Sequence, residues 1–152
     1  MKQNTNTTVT ILLWTGIALL AASYVLPAVQ GHAAADVTLQ GWEVALFILS
    51  GMLNFMHGEL ELLLAGLFLC NGVLYLGIAL LLLKWRVPAW YLPTLAVALL
   101  YVLGFTFLNF GFGQLGSGFF AYLCAYLLLG AACILARGTR ETAAAQSGPV
   151  SE

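Results

Sequence analysis

The chain has 152 residues, of which 62% are hydrophobic and 7% charged, and its mean hydropathy is +0.97. A soluble domain carries about a quarter of its residues as charges, so this composition points to lipid as the solvent. A net charge of -1 from five basic and six acidic residues leaves no basic patch for a nucleic acid.

Met1 to Thr8 is polar, with Lys2 as its charge. Val9 to Leu26 is the first apolar run, about 18 residues and near the lower limit for a span, and Pro27 stops it. Ala33-Ala34-Ala35 resembles a signal-peptide cleavage site, but the apolar run is long for a signal core and the n-region holds a single lysine, so a retained span is expected. Gln30 to Gln40 reads as a linker of small and polar residues. Gly41-Trp42-Glu43 follows, with an indole suited to the headgroup level.

Trp42 to Lys84 organises the rest. It comprises a polar-striped apolar segment to Met56, a charged knot at His57-Gly58-Glu59-Leu60-Glu61, and an uninterrupted apolar run from Leu62 to Leu83. One straight helix over all of it would be roughly 60 Å long, about twice the hydrocarbon thickness, so the stretch must break or leave the membrane. Glu43, Ser50, Asn54, His57 and Glu61 recur at intervals of 7, 4, 3 and 4, which places them on one helix face. Gly51 and Gly58 are natural bending points.

Leu62 to Leu83 predicts the best transmembrane helix, with Asn71 as its strongly polar residue. Lys84-Trp85-Arg86, Pro88, Trp90 and Tyr91 then read as a cytoplasmic loop bracketed by interfacial aromatics. The third span runs to Leu108 with Pro93 in its opening turns. Asn109 to Gly118 is a glycine-aromatic turn, and Phe119 to Ala136 is the last span, followed by Arg137 and Arg140. From Thr139 onward small and polar residues suggest a frayed tail. Cys70, Cys124 and Cys133 lie in apolar runs without CxxC spacing and read as small buried side chains.

The expected fold is an all-α membrane protein: a four-helix transmembrane bundle with an additional amphipathic or re-entrant outer segment. Residues 1–140 form one transmembrane helical domain, with spans at about 9–26, 60–83, 89–108 and 119–136, an interfacial or re-entrant segment at 43–57, and a flexible tail at 141–152. Four spans put all five basic residues on one side, which by the positive-inside rule makes both termini cytoplasmic. A fifth crossing at Val44 to Met56 would use only about 13 residues and would place Lys84 and Arg86 outside. That segment therefore lies on the outer interface, dips in and returns near Gly58, or projects as part of a long second helix.

His57, Glu59, Glu61, Asn54, Glu43 and Asn71 are the candidate polar or ligand site. His57 and Glu61, four apart, can face each other; Glu59 and Glu61, two apart, cannot share a face. Acids near hydrocarbon cost free energy unless paired or hydrated, so the cluster could form a proton relay or a cation-binding mouth. As a metal site it supplies two ligands where zinc takes three or four, and no metal is assigned. The plainer reading seats both acids at a helix N-terminus in headgroup water. Asn71 is either a ligand contact or a hydrogen bond to a neighbouring helix, with Tyr75 as a candidate partner. Gly66/Cys70, Ala18/Ala22 and Ala121/Ala125 permit close helix approach. Phe105, Phe107, Phe110, Phe112, Phe119 and Phe120 crowd the outer ends of the last two spans, either as a platform for a lipid tail or a partner helix or as plain aromatic anchors. There is no HExxH, GxSxG, Walker loop or CxxCH, so no catalytic residues and no cofactor are assigned.

With Gly41-Trp42 ending the first outer loop ahead of a moderately apolar stretch and a long second span, the outline resembles small uncharacterised bacterial four-span inner-membrane proteins. The resemblance implies a bacterial inner-membrane location and carries over no activity. The expected function is that of a non-catalytic integral membrane subunit or accessory protein, with membrane lipids and another membrane protein or a second copy as partners. The alternatives are an oligomeric channel or carrier lined by the polar stripe, and a lipid-modifying enzyme joining Glu59 or Glu61 with His57 or His32 at the outer interface.

Overall fold

The computed structural model describes residues 2–30, 38–53, 59–110 and 114–146, with side chains described at 5–30, 38–50, 63–108 and 114–139. The elements are α1 (Lys2–Val25), β1 (Pro27–Gln30), β2 (Thr38–Gln40), α2 (Gly41–Leu53), α3 (Glu59–Leu82), α4 (Tyr91–Phe110) and α5 (Ser117–Gln146). Four stretches within these helices are long and apolar enough to cross a membrane: Thr5–Val25, Leu63–Leu82, Tyr91–Leu108 and Ser117–Thr139. This is the pattern of a multi-pass membrane protein. The fifth helix, α2, would extend only about 20 Å, against a hydrocarbon core of roughly 30 Å. It packs mainly on α3.

The contacts fix the direction of each helix. Gly16 of α1 lies beside Leu129 of α5, while the end of α1 at Leu26 meets Gly118 at the start of α5, so these two run antiparallel along their length. Tyr91 and Tyr101 of α4 donate to the carbonyls of Val73 and Leu63 of α3, at 2.9 and 3.0 Å, a second antiparallel pair. Leu95 of α4 reaches Gly130 of α5, and the far end of α4 meets the start of α5 across the cavity described below. The start of α1, the end of α3 and the end of α5 therefore share one end of the bundle, and all five basic residues are placed there. Glu43, Glu59 and Glu61 begin their helices at the opposite end.

Local chemistry sets the helix ends. Pro27 ends α1 because it brings no N–H for the Ser23 carbonyl. Lys84 ends α3 in the left-handed region, with φ of 53°; its N–H bonds to Leu81 O and that of Trp85 to Leu80 O, at 3.2 and 2.8 Å, a Schellman closure. Pro93 sits in the first turn of α4, where an absent N–H costs nothing. The core is deepest along α3 and α5, where Leu74, Ala125 and Cys133 are fully buried. Tyr126 adds a bond of 3.1 Å to Cys70 O, so three tyrosines from α4 and α5 cap carbonyls of α3. Gly66 and Gly77 make room for two of them, since a Cβ there would overlap the hydroxyls of Tyr101 and Tyr91.

Several expectations need correction. The fold is not purely helical, because β1 and β2 pair antiparallel, Pro27 with Gln40 and Gln30 with Thr38, across the two ends of the stretch from Gln30 to Gln40 that reads as a linker. Proline is tolerated as the first residue of such a strand, and Val29 bridges to Leu115 on the other side. Cys124 is exposed, unlike Cys70 and Cys133; it shares the outward stripe of α5 with Phe120 and Leu127. Finally, α5 continues to Gln146, since Ala143-Ala144-Ala145 propagates a helix that composition alone read as tail.

Candidate functional site

The site begins with the start of α2. Glu43, at the third helical position, accepts the backbone N–H of Gln40 at 2.7 Å, the returning half of a capping box, and the Trp42 indole donates to Gln40 Oε1 at 2.6 Å. Gly41 donates its N–H to Leu26 O at 3.1 Å, which seats the first turn of α2 on the end of α1. A Cβ at Gly41 would overlap the Ser23 carbonyl oxygen; only a glycine permits the approach.

Seated in this way, α2 turns Val44, Ala45, Ile48 and Leu49 inward. At 100° per residue, Glu43 and Ser50 fall on the opposite face, beside Leu46 and Phe47, which are exposed. Ser50 donates to Phe47 O on its own helix at 2.8 Å. The two described members of the polar stripe on α2 thus face out of the bundle and line no passage within a single chain.

The inward face of α2 closes over a cavity of about 270 Å³ bounded by the end of α1, β1, the middle of α3, the last turns of α4 and the first turns of α5. Among the described residues no Asp, Glu, Lys, Arg or His lines it. Its polar groups are arranged in pairs. Asn71 donates to Leu67 O at 2.9 Å and accepts from the Tyr122 hydroxyl at 3.0 Å. The Tyr24 and Tyr75 hydroxyls bond to each other. Ser23 and Thr106 spend their hydroxyl protons on Leu20 O and Val102 O, at 2.6 and 2.7 Å. Such pairing is what an apolar surrounding demands.

Of the residues singled out from sequence, Asn71 faces the cavity, and its partner is Tyr122 of α5 rather than Tyr75, which points to Tyr24 of α1. Glu43 caps α2. Glu59 and Glu61 lie in the first turn of α3, where the backbone alone is described, and Asn54, His57 and His32 lie outside the described residues. Phe105 and Phe119 line the cavity, while Phe120 is turned outward; Phe112 lies outside the described residues, as does the side chain of Phe110. Among the described residues no three His, Cys, Asp or Glu come together as metal ligands. Tyr24 and Tyr122 were not singled out from sequence. Each is a polar ring near a helix end, and nothing local distinguishes an interfacial tyrosine from one turned into the bundle.

No family model, curated protein or solved structure matches the chain.

Proposed function

We propose that this chain is a non-catalytic integral protein of the bacterial inner membrane, with both termini cytoplasmic, that works by binding other membrane helices, those of a partner protein or of a second copy. Residues 1–140 act as one domain. The placement of all basic residues at one end of the bundle supports this orientation. It puts the start of α2 and the hairpin on the outer side, with α2 lying along α3 in the outer leaflet.

One observation carries the binding role. Val97, Leu100, Gly104 and Leu108 form a continuous outward stripe on α4, with Leu108 88% exposed, and nothing lies within 4 Å of a Cβ built at Gly104. A glycine flanked by large apolar side chains leaves a notch into which a second helix backbone can settle, and small residues of this kind are enriched at membrane helix interfaces. Burial of apolar area drives little association in lipid, so close packing at such a notch is the main available gain.

Gly104→Ile fills the notch from the outside without touching the bundle. The variant should keep wild-type resistance to SDS-induced unfolding while losing about tenfold in association, corresponding to roughly 1.4 kcal/mol, as read by native mass spectrometry from mild detergent and by co-purification. Monomeric wild type in several mild detergents, with no stoichiometric membrane partner, would overturn the proposal. So would a Gly104→Ile variant that associates as well as wild type.

A further inference from the structure

We infer that the cavity behind α2 is an intramembrane binding site for a neutral, mainly apolar lipid-phase molecule that carries a carbonyl oxygen. At about 270 Å³ it exceeds the roughly 150 Å³ that accommodates a benzene ring and approaches the lower end of ligand pockets, about 300 Å³. Its walls are aliphatic and aromatic, so isolated water is a poor occupant. With no charged side chain among the described residues of the lining, an ion or a charged headgroup finds no counter-charge in those walls.

The cavity has a lateral mouth. Leu49 of α2 and Phe68 and Tyr75 of α3 all line it, yet they are 40%, 36% and 43% exposed. The opening therefore lies on the apolar flank where α2 meets α3. A molecule dissolved in the bilayer can enter there without crossing water.

The polar groups select the ligand's oxygen. Two hydroxyls that bond to each other use one proton between them, and among the described residues the second proton of the Tyr24/Tyr75 pair has no acceptor. The amide of Asn71 likewise has two hydrogens and spends one on Leu67 O. Both spare hydrogens belong to groups that line the cavity. A donor that faces apolar surroundings without a partner costs free energy that an acceptor restores. The complement is a carbonyl on an apolar body, as in the acyl ester of a diacylglycerol or the ring of an isoprenoid quinone.

Two photoreactive probes separate these sources: a diacylglycerol with a diazirine on one acyl chain, and a benzoquinone with the diazirine on a short apolar tail. Each is incorporated into vesicles holding the full chain, and the labelled peptides are mapped. One probe should label the Val44 to Leu49 and Phe119 to Tyr122 segments about tenfold above the outward stripes at Leu100 and Leu127, an enrichment corresponding to roughly 1.4 kcal/mol of preference. Ala45→Phe, which grows into the cavity, should abolish that enrichment, whereas Gly104→Ile should leave it unchanged, which keeps this site distinct from the association surface. Tyr24→Phe combined with Tyr75→Phe keeps both rings and removes both hydroxyls; it should lower labelling about fivefold, as expected for one hydrogen bond of roughly 1 kcal/mol. Even labelling of all apolar faces by both probes would overturn the site, as would full enrichment in a folded Ala45→Phe variant. Undiminished labelling of the double phenylalanine variant would overturn the carbonyl assignment.

Discussion

Gly41→Ala should destabilise the bundle by about 3 kcal/mol, although alanine is the better helix former by roughly 1 kcal/mol. The sign is decided by what the added methyl meets. It would overlap the carbonyl oxygen of Ser23 and crowd the backbone of Tyr24, which belong to the last turns of α1 and cannot rotate aside as a side chain can. The Ser23 carbonyl already lacks its usual helical donor because Pro27 occupies the fourth position onward. Moving α2 away would also break the Gly41 bond to Leu26 O and open the cavity. Gly116→Ala, one residue before α5, tests the adjoining contact with β1, since its Cβ would overlap Pro27 O. The measurement is unfolding by SDS titration in mixed micelles. Gly72→Ala, with open space at its Cβ, is the control and should show wild-type stability or better. Equal stability of Gly41→Ala and wild type would mean that the start of α2 is not seated on α1.

Leu74→Ala should cost about 2 kcal/mol, the lower part of the range for such truncations in water-soluble cores, while Leu69→Ala on the same helix should cost almost nothing. Leu74 is 0% exposed and Leu69 67% exposed. In lipid the transfer of a leucine side chain from core to surroundings gains little, because the tails are as apolar as the side chain. What remains is the lost dispersion contact around an unfilled void. The ratio between the two variants therefore tests packing with the hydrophobic contribution largely removed. Similar losses at both positions would contradict the burial of α3 between α1, α4 and α5.

Much of this architecture was legible because lipid imposes long rules on short sequences. The four spans follow from apolar runs long enough for the hydrocarbon, and Pro27 and the Lys84-Trp85-Arg86 cluster mark ends that the structure keeps. The short reach of Val44 to Met56 is equally plain in the sequence. What stayed hidden depends on which face meets which. In a span both the buried and the lipid-facing sides are apolar, so Cys124 cannot be told from Cys133 by composition. The β1 and β2 hairpin is too short for period-two alternation to register. Gln40 and Glu43 carry the spacing of a capping box, but Glu43 fits the first step of the polar stripe equally well, so the sequence does not separate the two roles. Gly66 and Gly77, eleven residues apart, mark a receptive face of α3, yet nothing in α4 names Tyr101 and Tyr91 as the rings that fill it. The cavity is the extreme case, since five helices contribute to it and none shows it alone.

The shared placement of the basic residues is most directly tested by thiol accessibility. With Cys70, Cys124 and Cys133 replaced by alanine, single cysteines are introduced as Thr38→Cys in β2 and Arg86→Cys after α3, and intact spheroplasts are treated with a membrane-impermeant maleimide. Thr38→Cys should react at once, and Arg86→Cys only after the membrane is permeabilised. Reaction of Arg86→Cys in intact spheroplasts would place the end of α3 outside and contradict the four-crossing bundle with cytoplasmic termini.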